Sequence, residues 1–119
     1  HSVVISDPNI IDCPMVYVSD EFTNQTGYNV AEVLGKNCRF LQGPETDMND
    51  VEHIRQAIKM RKSITIDILN YKKNGEKFWN RLRIKPLFGP DGKIIFFAGE
   101  QNPIKIEDVR RYTFNKIIE

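Results

Sequence analysis

The chain has few of the residues that conventional catalysis uses. Its 119 residues include two cysteines, Cys13 and Cys38, and two histidines, His1 and His53. A structural zinc site needs four ligands at close spacing, and these four are scattered. Cys13 and Cys38 could pair, but two cysteines in a chain where no export signal is read are expected to be free thiols. A Cys38–His53 nucleophilic pair would have neither an oxyanion hole nor an orienting third group. There is no acid–base pair and no glycine fingerprint for a nicotinamide cofactor. An excess of one charge is also missing. Lys and Arg number 17 against 16 Asp and Glu, for a net charge of +1, so direct nucleic-acid binding is not expected. No apolar run is long enough to span a bilayer, which leaves a soluble, cytoplasmic domain as the expectation. Repeats, low-complexity tracts and linkers are absent. Beginning at His1 and ending in a helix-like segment, the chain is read as a piece of a longer protein.

The residues that are present, 40% hydrophobic and 28% charged, suit one soluble domain with a single core. The apolar period changes halfway along. Ser2–Ser6 (SVVIS) and Met15–Ser19 (MVYVS) read as strands around a turn-rich loop broken by Pro8 and Pro14. Ser19 is expected to cap a helix ended by Gly27, and Asn29 a shorter one ended by Gly35. Asp47 or Asn49 would cap a longer helix whose Val51, Ile54 and Ile58 form an apolar stripe. Three long strands follow, the first two joined at Asn74-Gly75 and the last entered through GPDGK. The order β-β-α-α-α-β-β-β implies an α+β domain, an antiparallel sheet with helices on one face.

Alternation along the long strands gives three apolar rows: Ile64, Ile66, Ile68, Asn70; Phe78, Asn80, Leu82, Ile84; and Ile95, Phe97, Gly99, Gln101. Each row carries one carboxamide. A buried amide without a partner costs about 1–3 kcal/mol, so all three must be satisfied. They could bond backbone or one another. They could instead line a pocket for a planar, mostly apolar ligand with polar groups on one edge. Gly99 leaves room for close approach. Arg39 and Arg55, on the helical layer, suit an anionic group such as a phosphate, although Arg55 alone reads as a solvated helix residue.

Gly35–Gly43, GKNCRFLQG, closely resembles the flavin-binding signature of light-oxygen-voltage (LOV) domains, the blue-light-sensing branch of the PAS family. SDP, TGY, EVLG, IRQAI, LNYKKNG, FWN and FFAGEQ stand in that family's order, and the resemblance covers Ser2 to Asn102. It implies a PAS fold, a five-stranded antiparallel sheet with helices on one face around a flavin pocket and a C-terminal flanking helix. It implies non-covalently bound FMN. Asn70 and Asn80 would bond the pyrimidine edge and Gln101 would sit near O4 and N5. Asn37 and Gln42 would contact the ribityl chain, Arg39 and Arg55 the phosphate. Val4, Ser6, Leu41, Ile54, Leu82, Ile84 and Gly99 would pack around the ring. In this family the cysteine, here Cys38, is a photochemical nucleophile. After blue light its sulfur bonds flavin C4a while N5 gains a proton, and the bond breaks in the dark.

Two positions depart from the family pattern. Cys13 replaces an asparagine and is read as a loop change only, too far along the chain to take over from Cys38. Leu82 stands where many plant members have phenylalanine, and an aliphatic residue there looks more like bacterial members. The module is expected over residues 1–103, with a linker helix over 104–119. Leu69, Trp79, Ile94, Phe96 and Ala98 are expected on the outer sheet face. The tail places Ile106, Val109, Tyr112 and Lys116 on one line, with Phe114, Ile117 and Ile118 beside it. It reads equally as a helix docking on that face or in a homodimer, and as a solvated linker. The function implied is a blue-light photoreceptor module in signal transduction. It is not itself an enzyme, and it relays a conformational change to a linked effector such as a histidine kinase, or to a dimer interface. The alternatives are a flavin-dependent redox enzyme and a PAS chemical sensor.

Overall fold

The computed structural model describes residues 1–110; the tail positions from Tyr112 to Ile118 lie outside the described residues. The strands are β1 (Ser2–Ser6), β2 (Met15–Val18), β3 (Ile64–Tyr71), β4 (Lys77–Phe88), β5 (Ile94–Gln101) and β6 (Pro103–Ile104). The helices are α1 (Asp20–Thr26), α2 (Val30–Val33) and α3 (Met48–Lys59), with short 3-10 helices at Cys38–Leu41 and Ile106–Asp108. The sheet runs β2-β1-β5-β4-β3, antiparallel at every pairing. This is the expected five-stranded antiparallel order. The two-residue β6 adds a sixth strand, pairing with Trp79 and Asn80 of β4. β6 continues β5 along the same partner, past a break at Asn102.

Local chemistry sets the helix ends. Asn29 forms a capping box with Glu32, its Oδ1 accepting from the Glu32 amide at 2.9 Å and its own amide donating to Glu32 Oε1 at 3.0 Å. Asp47 caps α3 by accepting from the Asn49 amide at 2.8 Å. Gly27, at φ 81°, turns the chain out of α1. Ser19 precedes α1 but makes no side-chain cap. Its Oγ accepts from the Val3 amide at 2.8 Å and so fixes the start of α1 to β1.

The core is split. Val4, Met15, Val18, Phe22, Val33 and Leu41 form one buried cluster; Ile66, Ile68, Leu82, Ile84 and Phe97 form the other. The stripe of α3, Val51, Ile54 and Ile58, packs on the second. Each fully buried large side chain contributes about 2 kcal/mol. The row assignment fails at one end of β5. Ile95 is 42% exposed, and Ile94, expected outside, packs against the second cluster. The register shifts there: Phe88 pairs Ile94 and Leu87 pairs Phe96, leaving Ile95 unpaired, and such an irregularity inverts the alternation beyond it. The segment after β5 also differs from the expected helix. Residues 104–108 complete β6 and a 3-10 turn, and Val109 is extended.

The outer face of the sheet holds a buried ion pair. Arg81 Nε and Nη2 donate to Asp67 Oδ1 and Oδ2 at 2.8 and 3.0 Å. The same guanidinium donates to the Asp108 carbonyl at 2.9 Å, and the Arg110 amide donates to Asp67 Oδ2 at 2.6 Å. Burial pushes the Asp67 carboxyl up, but the Arg81 guanidinium and the Arg110 amide outweigh it and hold the pKa below the ordinary value. Its stabilisation is therefore present above the unfolded carboxylate value and lost as pH falls through the lowered folded one. At neutral pH, Arg81→Met should cost about 3 kcal/mol in urea unfolding, because it strands a buried charge. Asp67→Leu/Arg81→Met should be more stable than that single variant. A single variant as stable as the parent would show that solvent screens the pair.

Candidate functional site

A cavity of about 670 Å³ borders both core clusters, with Val4 and Leu41 from one wall and Ile68, Leu82, Ile84 and Phe97 from the other. It is large enough for a drug-sized or cofactor-sized molecule. Of the residues expected at the site, Val4, Ser6, Asn37, Cys38, Arg39, Leu41, Gln42, Ile54, Arg55, Asn70, Leu82, Ile84, Gly99 and Gln101 all line it. Asn80 does not. It has no exposed surface and sits directly behind two of the lining amides.

The three carboxamides form one network. Asn80 Nδ2 donates to Asn70 Oδ1 at 3.0 Å and to Gln101 Oε1 at 2.5 Å, while Asn80 Oδ1 accepts from the Asn102 amide at 2.9 Å. Asn80 thus uses both amide protons and its oxygen. Asn70 Nδ2 reaches only the carbonyl of its neighbour Leu69, at 3.3 Å. The pairings Asn70↔Phe78, Ile68↔Asn80 and Ser2↔Gln101 set these side chains on three neighbouring strands. Gly99 leaves the floor without a side chain there. A Cβ on it would lie 3.1 Å from Val4 Cγ2 and 3.6 Å from Gln101 Nε2.

The 3-10 helix that starts at Cys38 also lines the cavity. Asn37 caps it, Oδ1 accepting from the Arg39 amide at 2.9 Å, and Asn37 Nδ2 donates to the Asp12 carbonyl at 2.9 Å. Burial raises the Cys38 pKa against the pull of a backbone hydrogen bond and Arg39, which keeps the sulfur a thiol at neutral pH. Arg39 and Arg55 stand at the cavity edge, 58% and 74% exposed in their side chains. Arg39 Nη2 lies 2.5 Å from Asp12 Oδ2, and Arg55 pairs with Glu52. An anion held by both would exchange those two exposed pairs for charge-assisted bonds.

Three groups of lining residues were not picked out from the sequence. Val51 and Ile58 share the α3 stripe with Ile54, and Ile68 and Phe97 share rows with Asn70 and Gly99, so periodicity contained the signal. The loop Pro8, Asn9, Ile10, Ile11 and Asp12 has no period and gave none. Cys13 corrects an expectation: the loop change brings its thiol into the same cavity as Cys38, half-buried. Burial, then Cys38, Asp7 and Asp12, push the Cys13 thiol up to about 11.

Among the described residues no helix is long and apolar enough to cross a membrane, and no group of three or more His, Cys, Asp or Glu could hold a metal. The profile of the PAS domain matches residues 1–102. The chain is 46% identical over 105 residues, 88% of its length, to a blue-light-activated histidine kinase of Brucella anthropi, and spans 21% of that protein. It is 48% identical over 98 residues, 82% of its length, to phototropin-2 of Oryza sativa subsp. japonica, spanning 11% of it. A solved light-oxygen-voltage domain, studied with a flavin analogue, superposes with a TM-score of 0.93 at 42% identity, covering 98% of this chain and 87% of that one.

Asn80→Leu keeps the bulk but strands the Asn70 and Gln101 oxygens and the Asn102 amide. It should cost about 3 kcal/mol. Asn70→Leu removes one good bond and should cost about 1 kcal/mol. Equal costs in urea unfolding would mean that Asn80 is not the centre of the network.

Proposed function

The chain belongs to the PAS family and, within it, to the light-oxygen-voltage domains, and we propose that it is a blue-light photoreceptor module that binds FMN and captures it reversibly through Cys38. The observation that carries this reading is that Cys38 and the amide-bearing Asn70 and Gln101 line one cavity.

The donor set suits a flavin. Asn70 and Gln101 offer amide groups to the polar edge of a planar ring, and Asn80 orients both from behind. Val4, Leu41, Ile54, Leu82 and Ile84 supply apolar contact, and Gly99 admits the ring close to the sheet. Ser6 also lines the cavity, and Asn37 and Gln42 are suited to the ribityl hydroxyls. Arg39 and Arg55 hold the phosphate and make FMN preferred over riboflavin.

When bound, the flavin supplies the light-absorbing group and, once excited, the reactive carbon. The chain supplies a protonated thiol. Cys38 keeps its proton at Sγ in the dark because desolvation raises its pKa, and it yields both sulfur and proton on illumination. No neighbouring base is required, which accounts for the absence of a histidine beside Cys38 in sequence. The module is a sensor, not an enzyme.

Gln101 carries the output. A carboxamide can present either its donor or its acceptor end, so it can follow a partner that gains a proton. Its oxygen is held by Asn80, which also holds the Asn102 amide. Asn102 in turn exchanges bonds with Arg81: the Arg81 amide donates to the Asn102 carbonyl at 2.7 Å, and Asn102 Nδ2 donates to the Arg81 carbonyl at 3.2 Å. Arg81 and Asp67 grip Asp108 and Arg110, where the chain leaves the module. Residues 1–103 are the sensing part, and the segment from 104 onward is the linker to an effector, a histidine kinase in the case the relatives suggest, or to a homodimer contact through the outer sheet face. The cytoplasm is the compartment this role fits.

The purified protein should be yellow, lose its blue absorption on illumination and regain it in the dark. Cys38→Ala should bind the flavin and show no such bleach. Reversible bleaching to the same spectrum in that variant would remove Cys38 from its role.

A further inference from the structure

The cavity holds a second thiol that the photochemical reading leaves without a task. Cys13 packs against the cluster of Ile66 and Phe97, and Cys38 against the cluster of Val4 and Leu41, so the two approach the cavity from opposite halves of the split core. Both are free thiols.

Their backbones are tied together. The Asn37 carboxamide donates to the carbonyl that immediately precedes Cys13 and accepts from the amide that immediately follows Cys38, each at 2.9 Å. The Arg39 guanidinium adds a bond to Asp12. The residues on both sides of Cys38 are thus bonded to the residue before Cys13. The turn that carries Cys13 is also unusual. Asp12 and Cys13 are successive non-glycine residues at φ 68° and 46°, a left-handed conformation that L side chains disfavour. Two backbone bonds hold it, Cys13 to Ile10 and Asp7 to Pro14, both at 3.0 Å. The loop beside it lies at the surface, with Ile11 94% exposed. The strained turn and the shared carboxamide thus set both cysteines on the lining of one cavity.

We propose that Cys13 and Cys38 form a redox pair, which a low-molecular-weight disulfide oxidises to an intramolecular disulfide, taking the Cys38 sulfur out of photochemistry. Ile11 and Arg39, which line the cavity, are exposed to solvent and so to a small oxidant. At alkaline pH, where part of a raised thiol ionises, the thiolate of one cysteine attacks the small disulfide and expels one small thiol, leaving a mixed disulfide. The other cysteine's thiolate then displaces the second small thiol. The pair loses two protons and two electrons, and the small disulfide is reduced to two thiols. The pairing rests on the cavity alone; its effect on light response rests on the flavin reading above.

The flavin-loaded protein is incubated in the dark at alkaline pH with oxidised glutathione. Free thiols are then counted in denaturant, intact mass is measured, and bleaching under blue light is recorded. Both thiols should disappear, the mass should fall by two hydrogens with no glutathione retained, and the bleach should be lost in proportion. Dithiothreitol should restore all three. Cys13→Ser should give no species lighter by two hydrogens. A coloured protein that still bleaches and keeps both thiols, or one that gains glutathione instead of losing hydrogens, would overturn the pair and leave the flavin reading intact. A colourless protein that nevertheless loses two hydrogens would support the pair and overturn the flavin reading.

Discussion

A buried carboxamide must have partners, and Asn80 makes the fold supply them. Its side chain has no exposed surface, and it bonds Asn70 on β3, Gln101 on β5 and the backbone of Asn102 beyond β5. An apolar residue there would remove the reason for those polar groups to converge. With Asn80 in place, three strands are held in one register, the amides on two of them face the cavity, and the chain is bent at Asn102 toward its exit.

The same constraint explains the divided core. A domain of this size ordinarily closes one hydrophobic cluster. Here Val4 and Phe22 belong to one cluster and Ile68 and Phe97 to another, with a cavity of about 670 Å³ bordering both. A planar apolar ligand would complete the core, so binding and folding stability are linked. Such a ligand also exchanges amide–amide bonds for amide–ligand bonds, leaving the count of buried unmet groups low.

Much of this was legible from residues alone. The rows through Asn70, Asn80 and Gln101 follow from alternation, and the stripe of α3 follows from helical spacing. The motif around Cys38 carried the family. What stayed hidden is physical in origin. The inversion of Ile94 and Ile95 comes from a register shift, which alternation cannot report. The Asp67–Arg81 clasp joins side chains on the face expected to be solvent-facing, yet Asp67 is buried. Cys13 reaches the cavity through a non-periodic turn with two left-handed residues, a geometry that no local pattern announces.

The network that satisfies the amides also runs without a gap from Gln101 through Asn80, Asn102 and Arg81 to Asp108 and Arg110. The amides beside the cavity at one end and Asp108 and Arg110 at the other are joined by these bonds. Leucine has the bulk of glutamine and neither its donor nor its acceptor, so Gln101→Leu cuts the path at its first member. Amide hydrogen exchange across residues 102–118, dark against illuminated, is the most direct measurement of this coupling. Light should lower protection there in the parent, while Gln101→Leu should still bleach and show little change. A variant whose exit segment responds to light as fully as the parent's would place the signal's route elsewhere.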